Sequence, residues 1–439
     1  MKFFNRENEL GRLREIRDYS ASSAQFTVIT GRRRIGKTQL ALRAYQGTPT
    51  LYFFVSRKSE SFLCQDFQQE ITEKLGIPIL GEIHSFDKLF EYLMVLSEHS
   101  AFTLIIDEFQ EFYRVVPSVY SDIQRCWDLH HSKSKINLVV CGSVYSLMYK
   151  IFENHKEPLF GRMTANMTVK PFEVSVLKEI LAEYNPQFTS EDMLALYAFT
   201  GGVAKYVQLF MDNGAHNYQK MLSFIIREDS IFINEGKNML IEEFGTEYAN
   251  YFTILSAIAH GENTRAKIEN VIKKEIGGYL TKLERDYGLI SKMLPLFSKV
   301  ETKKVRYVLE DNFLIFWFRF VYKYGYMIEV GNYDGLRRLV DRDYKTFSGR
   351  MLEKYFRTKI VQTQDITNIG GFWDRKGENE IDLIVVNELD KKAQFIEIKR
   401  NADHIRMEQL KIKASQFLLE TGQLKDYRID YSGLSLEDM

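Results

Sequence analysis

The segment 31–38 has the residue types and spacing of a loop that binds nucleotide phosphates. It reads Gly-Arg-Arg-Arg-Ile-Gly-Lys-Thr and fits the pattern GxxxxGK[ST] without deviation. Glycines let consecutive backbone N–H groups point at a phosphate, and the following helix adds the partial positive charge of its N-terminus. Lys37 is expected to reach the β- and γ-phosphates, and Thr38 to ligate Mg²⁺. The expected cofactors are therefore ATP, or a similar nucleoside triphosphate, and Mg²⁺. The residues assigned to the nucleotide here are Gly31, Arg32, Arg33, Arg34, Ile35, Gly36, Lys37, Thr38 and Gln39.

Two adjacent acids, Asp107 and Glu108, follow the apolar run 103–106. A strand that ends in an acid suits the second Mg²⁺ position, so Asp107 is expected to act on the metal's shell. Glu108 is expected to polarise the attacking water as a general base. An acid at a strand end is common by itself, and its pairing with the phosphate loop favours the functional interpretation. Gln110 and Glu111 are expected to be solvated.

Two later polar residues are further candidates for the same site. Ser143 follows the apolar run 136–141, where a small polar side chain could lie beside the loop and sense the γ-phosphate or the water. The alternative is a tight turn that needs Gly142. Arg162 could neutralise charge during phosphoryl transfer, in cis or across the interface of a homo-oligomer. The alternative for Arg162 is a solvated arginine on a loop.

A second group of chemically capable residues lies near the C-terminus. The runs 380–386 and 395–399 predict a β-hairpin that brings Asp382 close to Glu397. Two carboxylates there could hold Mg²⁺ and activate water against a phosphodiester, and Lys399, on the same strand face as Glu397, could stabilise developing negative charge. Glu353 on the preceding helix could add a carboxylate. The pattern resembles the PD-(D/E)XK nuclease fold, with Ile381 where that family has proline. The alternative is a surface salt-bridge cluster.

The elements around the first site predict a parallel α/β sheet covered on both faces, because short apolar strands alternate with helical patterns. The expected strands are 24–30, 51–55, 103–106 and 136–141. The expected helices are 37–46, 60–75, 86–98 and 117–131.

The alternation of strands and helices ends after residue 172. Helical periodicity dominates 173–240, and the aromatic-rich stretch 307–326 is typical of a buried helix. A further α/β pattern begins near residue 346. It comprises an expected helix at 347–358, strands near 371–374, 380–386 and 393–399, and a helix at 403–420.

Between these parts, 251–307 carries 11 Lys/Arg against 6 Asp/Glu. Its pattern of a helix at 248–259, a turn, two further helices and two strands predicts a helix-turn-helix with a wing. Docking in a DNA major groove is expected, with Lys303 and Lys304 of the wing near phosphates. The alternative is a module for packing or oligomer contacts.

Seven short segments follow one another along the chain, at 4–10, 31–38, 104–110, 141–143, 158–162, 170–172 and 200–206. In this order they resemble the archaeal-type ATPases of the AAA+/STAND-like P-loop class, which also occur in bacteria. The resemblance implies that Phe4 and Arg6 lie near the adenine base and that Gly202, in the helical lid, contacts the nucleotide. Ala204 stands where the family has a proline. The family often carries a C-terminal nuclease-like domain.

Bulk properties narrow the functional classes. The chain has 439 residues, a formal net charge of zero and three cysteines without CxxC spacing. Net charge therefore gives no case for a nucleic-acid or membrane partner, and the cysteines favour a reducing compartment over disulfides or zinc. No signal peptide and no apolar run of membrane-spanning length is visible. A cytoplasmic protein is expected, without a membrane partner.

Together these features predict an α/β protein in which a P-loop NTPase parallel sheet with a helical lid precedes a winged-helix domain and a small α/β restriction-endonuclease-like domain. The expected domains are 1–172, 173–240, 241–310, a helical linker at 311–345, and 346–439. The leading hypothesis is an ATPase coupled to a DNA-related task through the winged helix and the nuclease-like domain. One alternative is a nucleotide-dependent switch that binds a protein partner and carries an inactive nuclease fold. Another is a metal-dependent nuclease regulated by ATP.

Overall fold

The chain divides into two compact units in the computed structural model, which describes residues 1–245, 248–299, 301–302, 304–374 and 378–439. The smaller unit is Asn5–Lys170. The larger unit combines Met1–Phe4 with Pro171–Met439. The division after Lys170 lies close to the domain boundary expected at residue 172. The finer division of 173–439 stays a prediction.

The smaller unit is built on a five-stranded sheet in the order β2-β3-β4-β1-β5, in which every pairing is parallel. β3 and β4 are buried along their whole length, as expected for strands covered on both faces. The strands are β1 (Gln25–Thr30), β2 (Thr50–Phe54), β3 (Phe102–Asp107), β4 (Ile136–Cys141) and β5 (Ala165–Thr168).

The four helices predicted for the smaller unit lie close to their expected ranges, and three further helices of this unit were not predicted. Their apolar faces share one core with the sheet, in which Phe53 stacks on Phe67 with ring centroids 4.1 Å apart. A single 3₁₀ turn, Phe109–Glu111, follows β3. The helices are α1 (Glu7–Tyr19), α2 (Lys37–Ala44), α3 (Glu60–Leu75), α4 (Phe86–His99), α5 (Phe112–Val115), α6 (Val119–His130) and α7 (Tyr145–Glu153).

The larger unit begins with five helices, as the helical periodicity of 173–240 predicts. Thr189 begins α9 with a capping box, in which its hydroxyl accepts the Asp192 N–H and the Asp192 side chain accepts the Thr189 N–H. The helices are α8 (Val174–Tyr184), α9 (Ser190–Thr200), α10 (Ala204–Asp212), α11 (Tyr218–Ile225) and α12 (Phe232–Phe244).

Three helices and an antiparallel hairpin come next. Thr264 caps the second of these helices by accepting the N–H of Lys267. The elements are α13 (Tyr248–His260), α14 (Arg265–Ile272), α15 (Gly277–Arg285), β6 (Ile290–Met293) and β7 (Arg306–Leu309).

The aromatic-rich stretch 307–326 is helical and mostly buried from Asn312 to Val321, as predicted, but it begins in β7, its last tyrosine is exposed, and it is not one regular helix. It comprises α16 (Asn312–Phe316), a π-helical segment (Trp317–Tyr322) and α17 (Gly325–Glu329). The long α18 (Tyr333–Thr363) follows.

The expected helix start at 347 is wrong, because α18 begins at Tyr333 and crosses the expected domain boundary between 345 and 346 without a break. Its buried stripe continues across the boundary, so one packed face spans it. The stripe contains Leu336, Val340, Tyr344, Phe347, Met351 and Tyr355.

The chain ends in a four-stranded sheet of order β11-β10-β9-β8. β8 pairs antiparallel with β9, β9 antiparallel with β10, and β10 parallel with β11. A helix between β10 and β11 packs on this sheet, with Phe417 in the shared core. The elements are β8 (Asn368–Trp373), β9 (Glu380–Asn387), β10 (Lys392–Ile398), α19 (Met407–Thr421) and β11 (Arg428–Leu434).

Two strands escaped prediction, β5 and β11. Both are edge strands with polar residues at alternating positions, so neither forms an apolar run. Among the described residues, no helix has the length and apolar character needed to cross a membrane.

Two helical glycines give a matched test of packing in the larger unit. A Cβ on Gly236 in α12 would lie 2.7 Å from Cε2 of the Trp317 indole, whereas a Cβ on Gly349 in α18 meets nothing within 4 Å. We expect Gly236→Ala to lower the free energy of unfolding by about 1–3 kcal/mol through overpacking. We expect Gly349→Ala to raise it by about 0.5–1 kcal/mol, since alanine favours helix. Urea denaturation followed by circular dichroism measures both, and equal effects of the two substitutions would contradict the packing.

Candidate nucleotide and carboxylate sites

Three groups of predicted residues meet at one edge of the parallel sheet. β3, β4 and β1 are neighbours and run in the same direction, so their carboxyl ends lie side by side. The loop 31–38 follows β1, Asp107 ends β3, and Gly142 and Ser143 follow β4. Ligands of open α/β sheets bind at such carboxyl ends.

The loop itself adopts a backbone that glycine permits. Gly31 has φ 143° and Gly36 has φ 97°, and a Cβ on Gly31 would lie 2.6 Å from the carbonyl oxygen of Val169. The Nζ of Lys37 donates to the carbonyl oxygens of Gly31 at 2.8 Å and Arg32 at 3.0 Å. Burial lowers the pKa of Lys37. A buried ammonium held only by neutral carbonyls is a site that phosphate oxygens fit.

The remaining loop residues divide by exposure. Ile35 is buried and anchors the loop in the core, and Gln39 is exposed on α2. Arg32, Arg33 and Arg34 are partly exposed, and Arg34 has φ 66°.

Asp107 joins the loop to the sheet. Its Oδ2 atom accepts hydrogen bonds from the Thr38 hydroxyl at 2.7 Å and from the Tyr52 hydroxyl at 2.9 Å. Burial, followed by the charge of Asp107, raises the pKa of Tyr52. A hydroxyl and a carboxylate that meet at one point are oxygen ligands suited to Mg²⁺. Tyr52 was not predicted as a site residue. Its hydroxyl, a polar group within the otherwise apolar run 51–55, is the feature that could have indicated it.

Glu108 lies in a strained backbone conformation with its carboxylate already engaged. Its φ is 52°, which non-glycine residues rarely adopt. Its Oε2 atom accepts the Ser143 hydroxyl at 2.8 Å and the side-chain amide of Gln110. The structure therefore brings Ser143 to Glu108, in line with the expectation that Ser143 lies beside the nucleotide loop.

The expectation that Gln110 and Glu111 are solvated is wrong. Both are buried, since the turn after β3 packs into the sheet edge. Glu111 forms ion pairs with Arg57 at 2.9 Å and Arg114 at 3.6 Å. A Cβ on Gly142 would lie 2.6 Å from the Oε1 atom of Gln110. The backbone after β4 can therefore come this close to Gln110 only because residue 142 is glycine.

Two predicted arginines of the smaller unit form contacts within the protein. Arg162 pairs with Asp128 at 3.1 Å and donates to the Phe160 carbonyl at 2.9 Å. Arg6 is buried, where it donates to Glu9 at 2.9 Å and to the Lys170 carbonyl at 2.6 Å. These contacts give both residues a structural role, and their assignment to the nucleotide stays a prediction.

Phe4 and Gly202 belong to the larger unit. Phe4 is buried, with the ammonium of Lys2 4.9 Å from its ring centroid. Gly202 has φ 77°, and its carbonyl accepts the Phe172 N–H at 2.8 Å. A Cβ there would lie 2.6 Å from the Phe172 carbonyl oxygen. The predicted contacts of Phe4 and Gly202 with the nucleotide stay predictions.

The C-terminal carboxylates converge on Lys399, as the predicted hairpin requires. β9 and β10 pair with Leu383 opposite Ile396, which places Asp382 beside Glu397. The Lys399 ammonium lies 2.9 Å from Asp382 and 3.6 Å from Glu397. Burial acts to lower the pKa of Lys399, but the two carboxylates outweigh it and raise that pKa. Asp382 also accepts the Ile398 N–H at 2.8 Å.

Glu353 on α18 is the third acid of this region. Its side chain is accessible to solvent and lines a cavity of the larger unit. Enclosure by protein, followed by the charge of Asp382, raises the pKa of Glu353 to about 8. The described residues contain no group of three His, Cys, Asp or Glu side chains placed to hold a metal. Mg²⁺ is often held by one or two carboxylates and water, so the donor types of Asp382 and Glu397 fit it.

The wing residues predicted to contact DNA are held within the chain where the structure describes them. Lys304 pairs with Glu420 at 3.1 Å, and its carbonyl accepts the indole N–H of Trp373 at 3.0 Å. Lys303 lies outside the described residues. The hairpin is therefore docked against the C-terminal sheet.

Comparison with protein families identifies two regions of the chain. Residues 3–210 match an ATPase domain predominantly from Archaea. Residues 317–412 match a family of archaeal and bacterial proteins of unknown function.

Comparison with individual proteins extends the match to most of the chain. An uncharacterised protein of Methanocaldococcus jannaschii is 30% identical over 406 residues, which cover 90% of this chain and 87% of that protein. The Walker-type ATPase of Pyrococcus abyssi has 19% identity and a TM-score of 0.55, over 72% of this chain and 96% of that one. The Aeropyrum pernix ORC2 protein has 14% identity and a TM-score of 0.48, over 77% and 95%.

The parallel sheet with its phosphate loop lies within the region that matches the ATPase domain, so structure and family comparison give the same assignment for this part of the chain. Since the relative from M. jannaschii is matched over nearly its whole length, the chain belongs to the archaeal-type P-loop ATPases whose C-terminal part is the family of unknown function.

Proposed function

We propose that this protein binds and hydrolyses ATP with Mg²⁺ at the carboxyl edge of the parallel sheet. One observation carries the proposal: the Thr38 hydroxyl and the Asp107 carboxylate meet at 2.7 Å beside the buried ammonium of Lys37. This combines a cation for phosphate oxygens with two oxygen ligands for a hard metal ion.

Each residue then has a distinct part in the reaction. Mg²⁺, when bound, neutralises charge that develops on the phosphate oxygens. Lys37 exchanges its bonds to carbonyl oxygens for bonds to phosphate, and Thr38 and Asp107 orient the metal. Glu108 accepts the proton of the attacking water. Ser143 and Gln110 hold the Glu108 carboxylate, so one of their bonds to it must open before it can bind that water.

For the larger unit we propose a winged helix formed by α13, α14, α15 and the hairpin β6/β7. Their order supports it, and α15 presents Lys282 and Arg285 to solvent as expected of a helix that approaches DNA. In this proposal the hairpin is the wing, and the ion pair of Lys304 with Glu420 holds it against the C-terminal part of the chain. DNA contact would therefore come from α15. The DNA-related task of the ATPase rests on this module.

We further propose that the C-terminal part is a Mg²⁺-dependent nuclease-like domain. The convergence of Asp382 and Glu397 on Lys399 favours it. The order of α18, β8, β9, β10, α19 and β11 suits such a core, with the carboxylates at the end of the central hairpin. Asp382 and Glu397 would hold the metal, and Lys399 would stabilise charge on the phosphodiester.

The ATPase proposal predicts opposite defects for two variants. Lys37→Ala should lose ATP binding, because a buried cation that contacts phosphate is removed. Glu108→Gln should bind ATP with near wild-type affinity but hydrolyse it about 100-fold more slowly or worse, because the general base is lost. Equilibrium binding of labelled ATP and steady-state phosphate release measure both. The control Glu91→Gln, on the exposed side of α4, should match wild type. Wild-type turnover by both variants would refute the assignment.

The nuclease proposal predicts Mg²⁺-dependent cleavage of DNA that Asp382→Asn abolishes. Asparagine keeps an acceptor for the Ile398 N–H, so the strand end should remain intact. Asp390→Asn, on the exposed turn of the same hairpin, is the matched control. Gel analysis of plasmid and oligonucleotide substrates with and without Mg²⁺ gives the result. Absence of metal-dependent cleavage by the wild-type protein would remove the nuclease claim and leave the ATPase claim untouched.

The raised pKa of Glu353 predicts a pH effect on stability. Its folded value of about 8 exceeds the ordinary 4.5, so the folded state keeps a proton that the unfolded state releases between these values. Stability should therefore fall as pH rises from about 4.5 to 8. Glu353→Gln removes this contribution, and its melting temperature relative to wild type should rise across that window. Exposed Glu408→Gln controls for the loss of one charge. A constant difference between Glu353→Gln and wild type at all pH values would contradict the assignment.

A further inference from the structure

The larger unit contains a cavity of about 1040 Å³ beside the C-terminal carboxylates. The hairpin β6/β7, the segment 291–298, one face of α18 and the starts of β8 and β9 enclose it. The lining residues of α18 run from Phe347 to Gln362, four turns of helix and about 22 Å of wall at 1.5 Å per residue. The cavity is therefore long rather than round.

Its walls are basic although the chain as a whole is neutral. Among the described residues that line it, cationic side chains outnumber acidic ones by seven to four. The cations are Lys267, Lys292, Arg306, Arg319, Arg350, Lys354 and Arg357, and the acids are Glu310, Glu353, Glu380 and Asp382.

Three of these cations differ from the rest in their partners. Within the described part of the chain, Arg319, Arg350 and Arg357 form no ion pair with a carboxylate, whereas Arg306 pairs with Glu380 at 2.6 Å. Burial and then the neighbouring charge of Arg350 lower the pKa of Arg319. Neighbouring arginines that lack a carboxylate within ion-pair distance are a site for an anion. Arg350 and Arg357 are two helical turns apart on one face, about 10.5 Å along the cavity.

We propose that this cavity binds a single strand of nucleic acid, with backbone phosphates on Arg319, Arg350 and Arg357. The residue types fit that class of ligand. Single strands bind in basic grooves that also offer aromatic side chains to bases, and the half-buried Phe297 lines this one. Phe297 has φ 61°, a conformation that a bulky residue keeps only where surrounding structure holds it.

The shape of the cavity favours a single strand over a duplex. Proteins that read duplex DNA insert a protruding helix or ribbon into a groove, but this surface is concave. The hairpin that forms one wall is fixed to the C-terminal sheet by the Arg306–Glu380 ion pair and by the bond from Trp373 to the Lys304 carbonyl. The Leu296 N–H also donates to the Gly371 carbonyl at 2.9 Å, which fixes the adjacent segment.

The cavity also leads to the proposed nuclease residues. Asp382 and Glu353 both belong to its wall, so a strand along α18 passes the carboxylates. The inference thus deepens the proposed nuclease function by naming its substrate as single-stranded nucleic acid. It rests on that function for cleavage but not for binding.

Fluorescence anisotropy of the full chain with a labelled single-stranded DNA of about 12 nucleotides tests binding. The double variant Arg350→Gln/Arg357→Gln should weaken affinity at least tenfold. The slope of log affinity against log salt should fall by about 1.4, since two phosphate contacts to a single strand are lost. The matched control Arg342→Gln/Lys345→Gln removes the same charge from exposed positions of the same helix and should leave affinity within about twofold. ATP hydrolysis and the melting temperature of each double variant confirm that it folds.

Equal weakening by both double variants would overturn the proposal, because general charge would then explain binding. Binding of a duplex of the same length as tightly as the single strand would overturn it too, as would the absence of any binding. Wild type and Asp382→Asn could both bind the strand in a way that depends on Arg350 and Arg357, while neither cleaves it. That result would support the cavity as a binding site and refute the nuclease proposal. Cleavage that the double variant leaves unchanged would instead support the nuclease and refute the cavity as its substrate path.

Discussion

The hydrogen bond between Thr38 and Asp107 is the contact on which the nucleotide site depends. It joins the loop after β1 to the end of β3, although these two strands are not neighbours and β4 lies between them. Only a parallel order β3-β4-β1 brings the loop, the acid and Ser143 to one edge. The same order places Tyr52, on the outer strand β2, where it also reaches Asp107. Sheet topology thus brings together the proposed metal ligands, the candidate base and their hydrogen-bond partners.

The C-terminal site is assembled by a simpler constraint, the register of one antiparallel hairpin. With Leu383 opposite Ile396, Asp382 and Glu397 must lie side by side at the end of the pair. A slip of one residue would turn Asp382 to the other face of the sheet and away from Lys399. The Asp382 carboxylate itself accepts the Ile398 N–H, so the candidate side chain also stabilises the register that positions it.

The sequence predicted most of the residues that the fold brings together at the two candidate sites, because they occur in short segments with strong local patterns. The phosphate loop needs glycine at two positive-φ positions, and Asp107 ends a strand that is buried along its whole length. Edge strands β5 and β11 lack that pattern, so they were missed. Burial of Gln110 depends on packing beneath the sheet edge, which no local pattern encodes. The continuity of α18 was missed for another reason. Charged residues on its outer face interrupt the apolar pattern in the sequence. The continuous buried stripe becomes evident only when the helix is packed in the fold.

The count of charges along the chain and the fold point to different surfaces for an anion. The basic segment 251–307 led to the expectation that its wing meets phosphates, yet Lys304 and Arg306 are paired with Glu420 and Glu380. Those pairs fix the hairpin as a wall. Among the described residues of the cavity wall, Arg319 and Arg350 form no ion pair with a carboxylate; they come from an aromatic-rich segment and from α18, which composition gave no reason to group. The proposed anion site depends on which cations the fold leaves without a carboxylate partner, and the docked hairpin forms one wall of it because Lys304 and Arg306 are paired.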